Sequence, residues 1–468
     1  ENEFSMLNFR YVAGDGRLKT LSFVINSQEQ LDTILSSGER ADGSSLFNYV
    51  EAGSSDLYVI PQFKTAFVNP FEEAETLDII CRFYTSDGKP LVNSPFNIMK
   101  KAHDELLKAT GLELEVMGEL EFYVIAEKQE LYPANDQRAY HESPPFTKFD
   151  YIYKEAMQII AECGGKLKYA HSEVGNFKQG ELEFEQYELE FQPTNMEDAA
   201  NSLILAKYIL RMLGSKYGVT ISFAPKITVG KAGSGLHIHC RLKKDGESVM
   251  VENGMLSDHA KKMIAGILTL SSALTAFGNT IPTSYLRLVP HQEAPTNICW
   301  GDRNRSVLVR VPLGWLGNAS EMISKVNPLE EVVDRDFSSK QTVEFRCPDG
   351  SADIYLLMAG LAVATRYGFE MPDALDVAEK LYVGVNIFDE KNKAVCRKLK
   401  QLPASCSESA DKLMELATAF TAKDVFTQRN IESIAAELKK YNDADLSENL
   451  YGKNNEIMDL VYKYLHYA

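Results

Sequence analysis

Residues 118–122 read Gly-Glu-Leu-Glu-Phe, and this alternation of acid and hydrocarbon decides how the chain folds. Side chains two apart on a β-strand share a face. A strand here sends Leu120 and Phe122 one way and Glu119 and Glu121 the other. Three more segments repeat the pattern: Glu188 and Glu190 sit in YELEF, His237 and His239 in GLHIH, and Glu344 and Arg346 in VEFR. Any one of them fits the wetted face of an antiparallel sheet. Together they point to a sheet curved around a polar cavity.

Around these segments the chain divides in two. Residues 7–84 carry short strand-like runs (LNFRYV, LKTLSFVI, DLYVIPQ, LDIICRFYT) interrupted by the polar turn Arg40 to Ser45. At Ser94-Pro95 the pattern changes. A serine cap followed by proline at the first helical position predicts a helix from about Phe96 to Thr110 and sets a domain boundary there, giving domains 1–93 and 94–468. Beyond it strands are expected at 113–126, 180–192, 219–224, 235–242, 305–312 and 342–347. Helices are expected at 148–163, 195–215, 256–277 and 353–368, and from Ser405 to the end. Thr194 with Glu197, and Ser405 with Glu408, read as capping boxes. Gln129 to Phe149 is polar and irregular, a loop able to cover a site.

The bulk numbers narrow the function classes. Lys and Arg total 49 against 66 Asp and Glu, a net charge of −17, which argues against a nucleic-acid or anionic-membrane surface. The longest apolar run, Ile354 to Ala364, is too short to cross a bilayer and reads as a buried helix. Seven cysteines without a C-x-x-C pair suggest reduced thiols. No signal peptide is evident, and a cytoplasmic location is expected.

The acids and His237 could hold divalent metal, since Mg²⁺ takes carboxylate oxygens and Mn²⁺ also accepts imidazole. Arg287 to Pro312, RLVPHQEAPTNICWGDRNRSVLVRVP, supplies four arginines: Arg287, Arg303, Arg305 and Arg310. Guanidinium groups grip carboxylates and phosphates bidentately, although in so acidic a chain they could also pair internally. Arginines beside metal-binding acids are the parts of a phosphoryl-transfer site. No Walker loop, dinucleotide fingerprint, zincin helix or G-x-S-x-G elbow is present.

These residues resemble glutamine synthetase of the class I bacterial type, over nearly the whole chain and in order. Asp42-Gly43-Ser44-Ser45 is similar to the family's ammonium-site loop, and Gly118 to Phe122 to its first metal strand. His171-Ser172-Glu173-Val174 and Gln186-Tyr187-Glu188 resemble its second acidic pair, and Lys231 to His239 its glycine-histidine strand. Arg287 to Pro312 is similar to the glutamate, flap and phosphate segments, and Val343 to Asp349 to the E-x-R-x-P-D strand. The resemblance implies an α+β fold. A β-grasp-like N-terminal domain precedes a catalytic α/β barrel-like domain of the glutamine synthetase/guanido kinase type.

It also implies roles. Glu121, Glu173 and Glu188 hold one Mg²⁺ or Mn²⁺, and Glu119, His237 and Glu344 a second. Arg287 and Arg346 grip glutamate, with Gly233 beside it. His239, Arg305 and Arg310 meet the phosphates of ATP, the co-substrate. Asp42 helps deprotonate ammonium, and Glu293 guards a γ-glutamyl phosphate intermediate. The family's active sites lie between subunits of two stacked hexameric rings, a homododecamer. Within the superfamily the acceptor is ammonia or an amine such as a polyamine, and a silent ring-forming relative is a further alternative. Asp42 favours ammonia.

Some positions depart from the pattern. Ala232 replaces an asparagine, Thr342 an arginine, and His291 and Gln292 the usual residues before the flap glutamate. Extra residues near 175–186 leave Glu181, Glu183 and Glu185 as rivals of Glu188, which the local motif favours. Tyr382 resembles a tyrosine that some members adenylylate, but Val383-Gly384-Val385 is unlike that loop, so no such modification is expected.

Overall fold

The computed structural model describes residues 4–51, 53, 55–289, 294–314, 319–333, 336–450 and 452–467. The first residues build a sheet in the order Leu18–Val24, Met6–Val12, Thr76–Thr85, Asp56–Pro61, Glu39–Asp42. Met6–Val12 runs parallel to Thr76–Thr85, and the other neighbours in that order are antiparallel. Leu7, Phe9, Val59, Ile79 and Phe83 point to one face, where Ile34 of the helix Gln28–Ser37 covers them. Sheet plus covering helix is the β-grasp arrangement. The helix is an addition to the β-rich reading. Ser27 caps it, and it ends at Gly38, whose φ of +65° and Cβ position 2.4 Å from the Val59 carbonyl oxygen exclude a side chain.

Ser94 and Pro95 start the helix Pro95–Thr110 as the sequence implied. Two arginines tie the first sheet to the rest of the chain. Arg82 lies over Phe96 at 3.4 Å from the ring centre, and Arg10 bridges Asp78 and the Tyr208 hydroxyl.

The second sheet runs Trp300–Asp302, Val309–Val311, Val343–Phe345, Leu236–Lys244, Glu113–Glu127, Leu182–Phe191, Leu167–Gln179. All four alternating segments therefore lie on adjacent strands. Their hydrocarbon face packs on helices. Asp258–Gly278 and Ile354–Glu370 are apolar on nearly every side and hence buried. They touch at Gly266, where a Cβ would sit 1.9 Å from the Ala364 carbonyl oxygen. Among the described residues no helix is long and apolar enough to cross a membrane. The seven cysteines are free thiols.

Three local readings need correction. Asn195, not Thr194, caps Met196–Tyr217, its side chain accepting from the Asp198 amide; both residues are cap types and the chain turns one residue later. Ser405 does cap its helix, but Glu408 reaches back to the Ala404 amide rather than to the cap itself. The extra residues near 175–186 do not stand apart from the sheet. They form the tip of a β-hairpin, with Leu167–Gln179 as an unanticipated strand turning at Gly180 into Leu182–Phe191. Residues 130–149 are irregular, as expected, and lie against this hairpin: Gln137 and His141 donate their amides to the carbonyls of Asn176 and Ser172.

Candidate active site

Antiparallel register brings the polar side chains into rows. Glu119 lies opposite His237 on one side and Glu190 on the other, and Glu121 opposite Glu188. Glu188 is in turn opposite His171, His239 opposite Glu344, and Glu344 opposite Arg310. Directly opposed residues have Cβ atoms about 5 Å apart, so each row is a contact set. The rows floor a cleft of about 1790 Å³. Glu119, Glu121, Glu173, Glu188, His237 and Glu344 all line it. So do Gly233, Arg287, His239, Arg305, Arg310 and Arg346.

Two expected residues are not among those lining the cleft. Glu293 falls outside the described residues. Asp42 is absent from the cleft of its own chain and caps the short helix Gly43–Leu46. Its Oδ1 accepts from the Ser44 amide at 3.0 Å and hydroxyl at 2.7 Å, and its Oδ2 from the Ser45 hydroxyl at 2.6 Å. Hydrogen bonds from Ser45, Ser44 and Ser55 hold this exposed carboxyl below the usual carboxylate range, so it stays ionised.

Within the cleft the charges interlock. Glu119 accepts from His237 Nδ1 at 3.1 Å and His239 Nε2 at 2.9 Å. Glu344 is 2.8 Å from Arg310 Nη1, 2.9 Å from Arg346 Nε and 3.5 Å from His237 Nδ1. Arg287 donates to the Cys347 carbonyl at 2.8 Å and places Nη2 3.5 Å from His237 Nε2. Only glycine fits beside it: a Cβ on Gly235 would lie 2.5 Å from that Nη2, and one on Gly233 3.0 Å from Arg287 Cγ. At the departures from the family pattern, the Ala232 amide donates to Gln137 Oε1, and the Thr342 hydroxyl lies 2.8 Å from His239 Nδ1.

The crowding of acids shows in their proton affinities. Burial works against charge on Glu119, yet the imidazoles of His239 and His237 hold its carboxyl well below the usual range. Glu121 is pushed up to about 7 by burial, with the charge of Glu173 adding and His237 and Arg287 opposing. Glu188 is raised well above the ordinary value by burial and by Glu119, Glu121, Glu173 and Glu190. Such acids hold protons until a cation replaces them.

Among the described residues three groups of donors are close enough to hold a metal: Glu119–Glu188–His237, Glu119–His239–Glu344 and His171–Glu173–Glu188. Mixed carboxylate and imidazole donors within 4.8 Å of one another suit a divalent ion. Glu121 joins none of these groups; its Oε2 accepts from the Gly235 amide at 2.7 Å and from Gln186 at 3.2 Å. The rivals of Glu188 face elsewhere. Glu183 and Glu185 bind Lys148 on the far side of the strand, and Glu181 pairs with Lys128 at the hairpin turn.

Sequence reasoning assigned no role to several residues that line the cleft or, like Gln186, lie buried against it. His171 contacts Glu188, Glu190 pairs with Lys168 at 2.5 Å, Gln186 bridges Glu121 and the Gly233 carbonyl, and Tyr140 hydrogen-bonds Arg305. His171 and Glu190 carried a signal, since each is two residues from a singled-out acid on the same strand. Tyr140 carried none, lying in irregular chain.

Comparison with known proteins places this architecture. Residues 3–86 match the family model described as glutamine synthetase, beta-Grasp domain, and residues 92–451 the model described as glutamine synthetase, catalytic domain. The chain is 30% identical over 463 residues to glutamine synthetase of Frankia alni, with 90% of each chain covered. It is 30% identical over 389 residues to that of Pyrococcus furiosus, covering 82% of this chain and 79% of the other. Among solved structures, Plasmodium falciparum glutamine synthetase superposes with a TM-score of 0.76 at 19% identity, covering 97% of this chain and 94% of the other. An ADP complex of GmaS gives 0.72 at 16% identity, covering 95% and 94%.

Proposed function

Since the chain belongs to the glutamine synthetase family, we propose that it is the ATP-dependent ligase that makes glutamine from glutamate and ammonium through γ-glutamyl phosphate. One observation carries the reading: acids, imidazoles and the arginines Arg287, Arg303, Arg305, Arg310 and Arg346 converge on a single cleft.

The carboxylates and imidazoles that lie within 4.8 Å of one another suit divalent ions. By the resemblance, Glu121, Glu173 and Glu188 would hold the first, and Glu119, His237 and Glu344 the second. Bound there, such ions would supply positive charge that offsets the phosphates of ATP and the γ-carboxylate. Arg287 and Arg346 bind the carboxylates of glutamate, and Gly233 leaves room for its main chain. His239, Arg305 and Arg310 hold the triphosphate, where guanidinium groups favour the charge of the transferring phosphoryl group. The γ-carboxylate oxygen attacks the γ-phosphorus and ADP leaves. Ammonia then attacks the acyl carbon and phosphate leaves, so a poor leaving group has been exchanged for a good one. Glu293 guards the acyl phosphate from water. Asp42, ionised and exposed, acts in the cleft of a neighbouring subunit in stacked rings, where its charge favours ammonium. The protein works in the cytoplasm.

The test is phosphate release from ATP with glutamate and Mg²⁺, comparing ammonium with methylamine and putrescine. Faster turnover with ammonium is the expected result. Preference for an amine moves the protein to γ-glutamyl-amine synthesis, and silence with every acceptor overturns the ligase reading.

A further inference from the structure

His171 has no part in the metal set that the family resemblance implies, yet its surroundings are those of a ligand. Its Nδ1 lies 3.1 Å from the Ser172 carbonyl oxygen. A carbonyl only accepts, so Nδ1 carries a proton, and in the neutral ring the lone pair is on Nε2. A backbone carbonyl holding Nδ1–H is the usual way a protein presents Nε2 to a metal. That lone pair faces Glu188 Oε1 at 3.2 Å. Two electron pairs so close repel unless a cation or a proton lies between them. One nitrogen of His171 and one oxygen each of Glu173 and Glu188 lie within 4.8 Å of one another. The ring is also held in place. His141, Tyr140 and Tyr169 lie 4.4, 5.4 and 5.8 Å away between ring centres. Glu121, by contrast, already has one carboxylate oxygen engaged by the Gly235 amide and Gln186.

From this geometry we infer that His171 is itself a ligand of the first divalent ion, with Glu173 and Glu188. The inference rests on the metal-dependent reading above and deepens it. An imidazole in place of an all-carboxylate set shifts preference from Mg²⁺ toward borderline ions, Mn²⁺ first among those a carboxylate-rich site takes.

The test is metal binding by the full-length, chelator-stripped protein without nucleotide or glutamate. His171→Gln keeps an amide donor for Glu188 and removes the imidazole. Calorimetric titration is expected to show Mn²⁺ affinity falling at least tenfold and Mg²⁺ affinity less than threefold. Pulsed electron paramagnetic resonance of bound Mn²⁺ is expected to show shallower ¹⁴N modulation than in wild type. Equal weakening of both metals with undiminished nitrogen modulation would make His171 a residue that only orients Glu188, and would overturn the inference, as would unchanged binding. Should the variant fold poorly, wild type decides: saturating Mn²⁺ protects His171 from carbethoxylation if it is a ligand, and leaves its reaction unchanged if it is not. Metal binding alone decides it, so the inference and the ligase assignment fail separately: unaltered metal selectivity in His171→Gln sinks this inference and leaves the acceptor assay to judge the ligase reading.

Discussion

Loading the cleft with metal should expel protons, and the amount should depend on pH in a way Glu121 dictates. Its folded value is about 7 against an ordinary 4.5. A group titrating near 7 is about nine-tenths protonated at pH 6 and about 3% protonated at pH 8.5. Binding that requires the carboxylate therefore releases about 0.9 proton from Glu121 at pH 6 and almost none at pH 8.5. Glu188, raised well above the usual range, adds to the release. The same linkage weakens apparent affinity about elevenfold at pH 6 relative to pH 8.5, near 1.4 kcal/mol, for the Glu121 proton alone. For the metal-free fold the sign is opposite. A folded value above the unfolded one gives stability that is full below 4.5 and lost as pH rises through about 7. Calorimetry of Mn²⁺ binding in two buffers of different ionisation enthalpy counts the protons at each pH. Equal release at pH 6 and pH 8.5, or undiminished release in Glu121→Gln, would show that the protons come from a group other than Glu121 and would refute the reasoning.

Arg287→Ala should raise the KM for glutamate at least tenfold with a smaller change in the KM for ATP, because a substrate carboxylate is left unpaired; steady-state kinetics with each substrate varied checks it. Asp42→Asn keeps a capping side chain on Gly43–Leu46 and should raise the KM for ammonium while sparing glutamate-dependent acyl phosphate formation, read by hydroxylamine trapping. Glu344→Gln leaves Arg310 and Arg346 beside a neutral amide in a site where Glu344 is 2% exposed, and should cost the metal-free protein about 3 kcal/mol in denaturant unfolding. Gly175→Ala would put a Cβ 2.1 Å from the Tyr123 hydroxyl and 2.4 Å from Gln186 Oε1, and should lower stability by about 1–3 kcal/mol; Gly180→Ala, with open space around it, is the control for backbone strain alone.

Legibility in the sequence tracks the strength of its periodicity. GELEF, YELEF, GLHIH and VEFR lie on adjacent strands because each must bury one hydrocarbon face against helices, and that demand writes alternation into the residues. Ile354 to Ala364 read as a buried helix for the opposite reason, having no polar face at all. Gln28–Ser37 escaped because it is polar around most of its surface and buries little beyond Ile34. Leu167–Gln179 escaped because it ends the sheet and has one strand neighbour, so its side chains obey the cleft as much as the core.

The hairpin shows why a site can be named in sequence and its shape still be hidden. Extra residues between Glu173 and Glu188 are visible as length, but length does not say whether they form a loop or a ladder. The structure puts three residues, 173 to 175, opposite Gln186 alone, between the pairs Ser172–Tyr187 and Asn176–Glu185. Such a bulge bends its strand and re-aims a side chain. Gly175 allows it, with its amide donating to Gln186 Oε1 at 3.0 Å and no room for a Cβ. Gln186 is thereby fixed with its amide nitrogen toward Glu121, while Glu173 is turned to the side of His171 and Glu188. The bulged strand carries an even surplus over its partner, so the alternation resumes on the same faces beyond the bulge. On Leu182–Phe191 itself the odd positions Glu183 and Glu185 face away from the even Glu188 and bind Lys148. Period-two parity along an unbulged strand is what separates Glu188 from its neighbours.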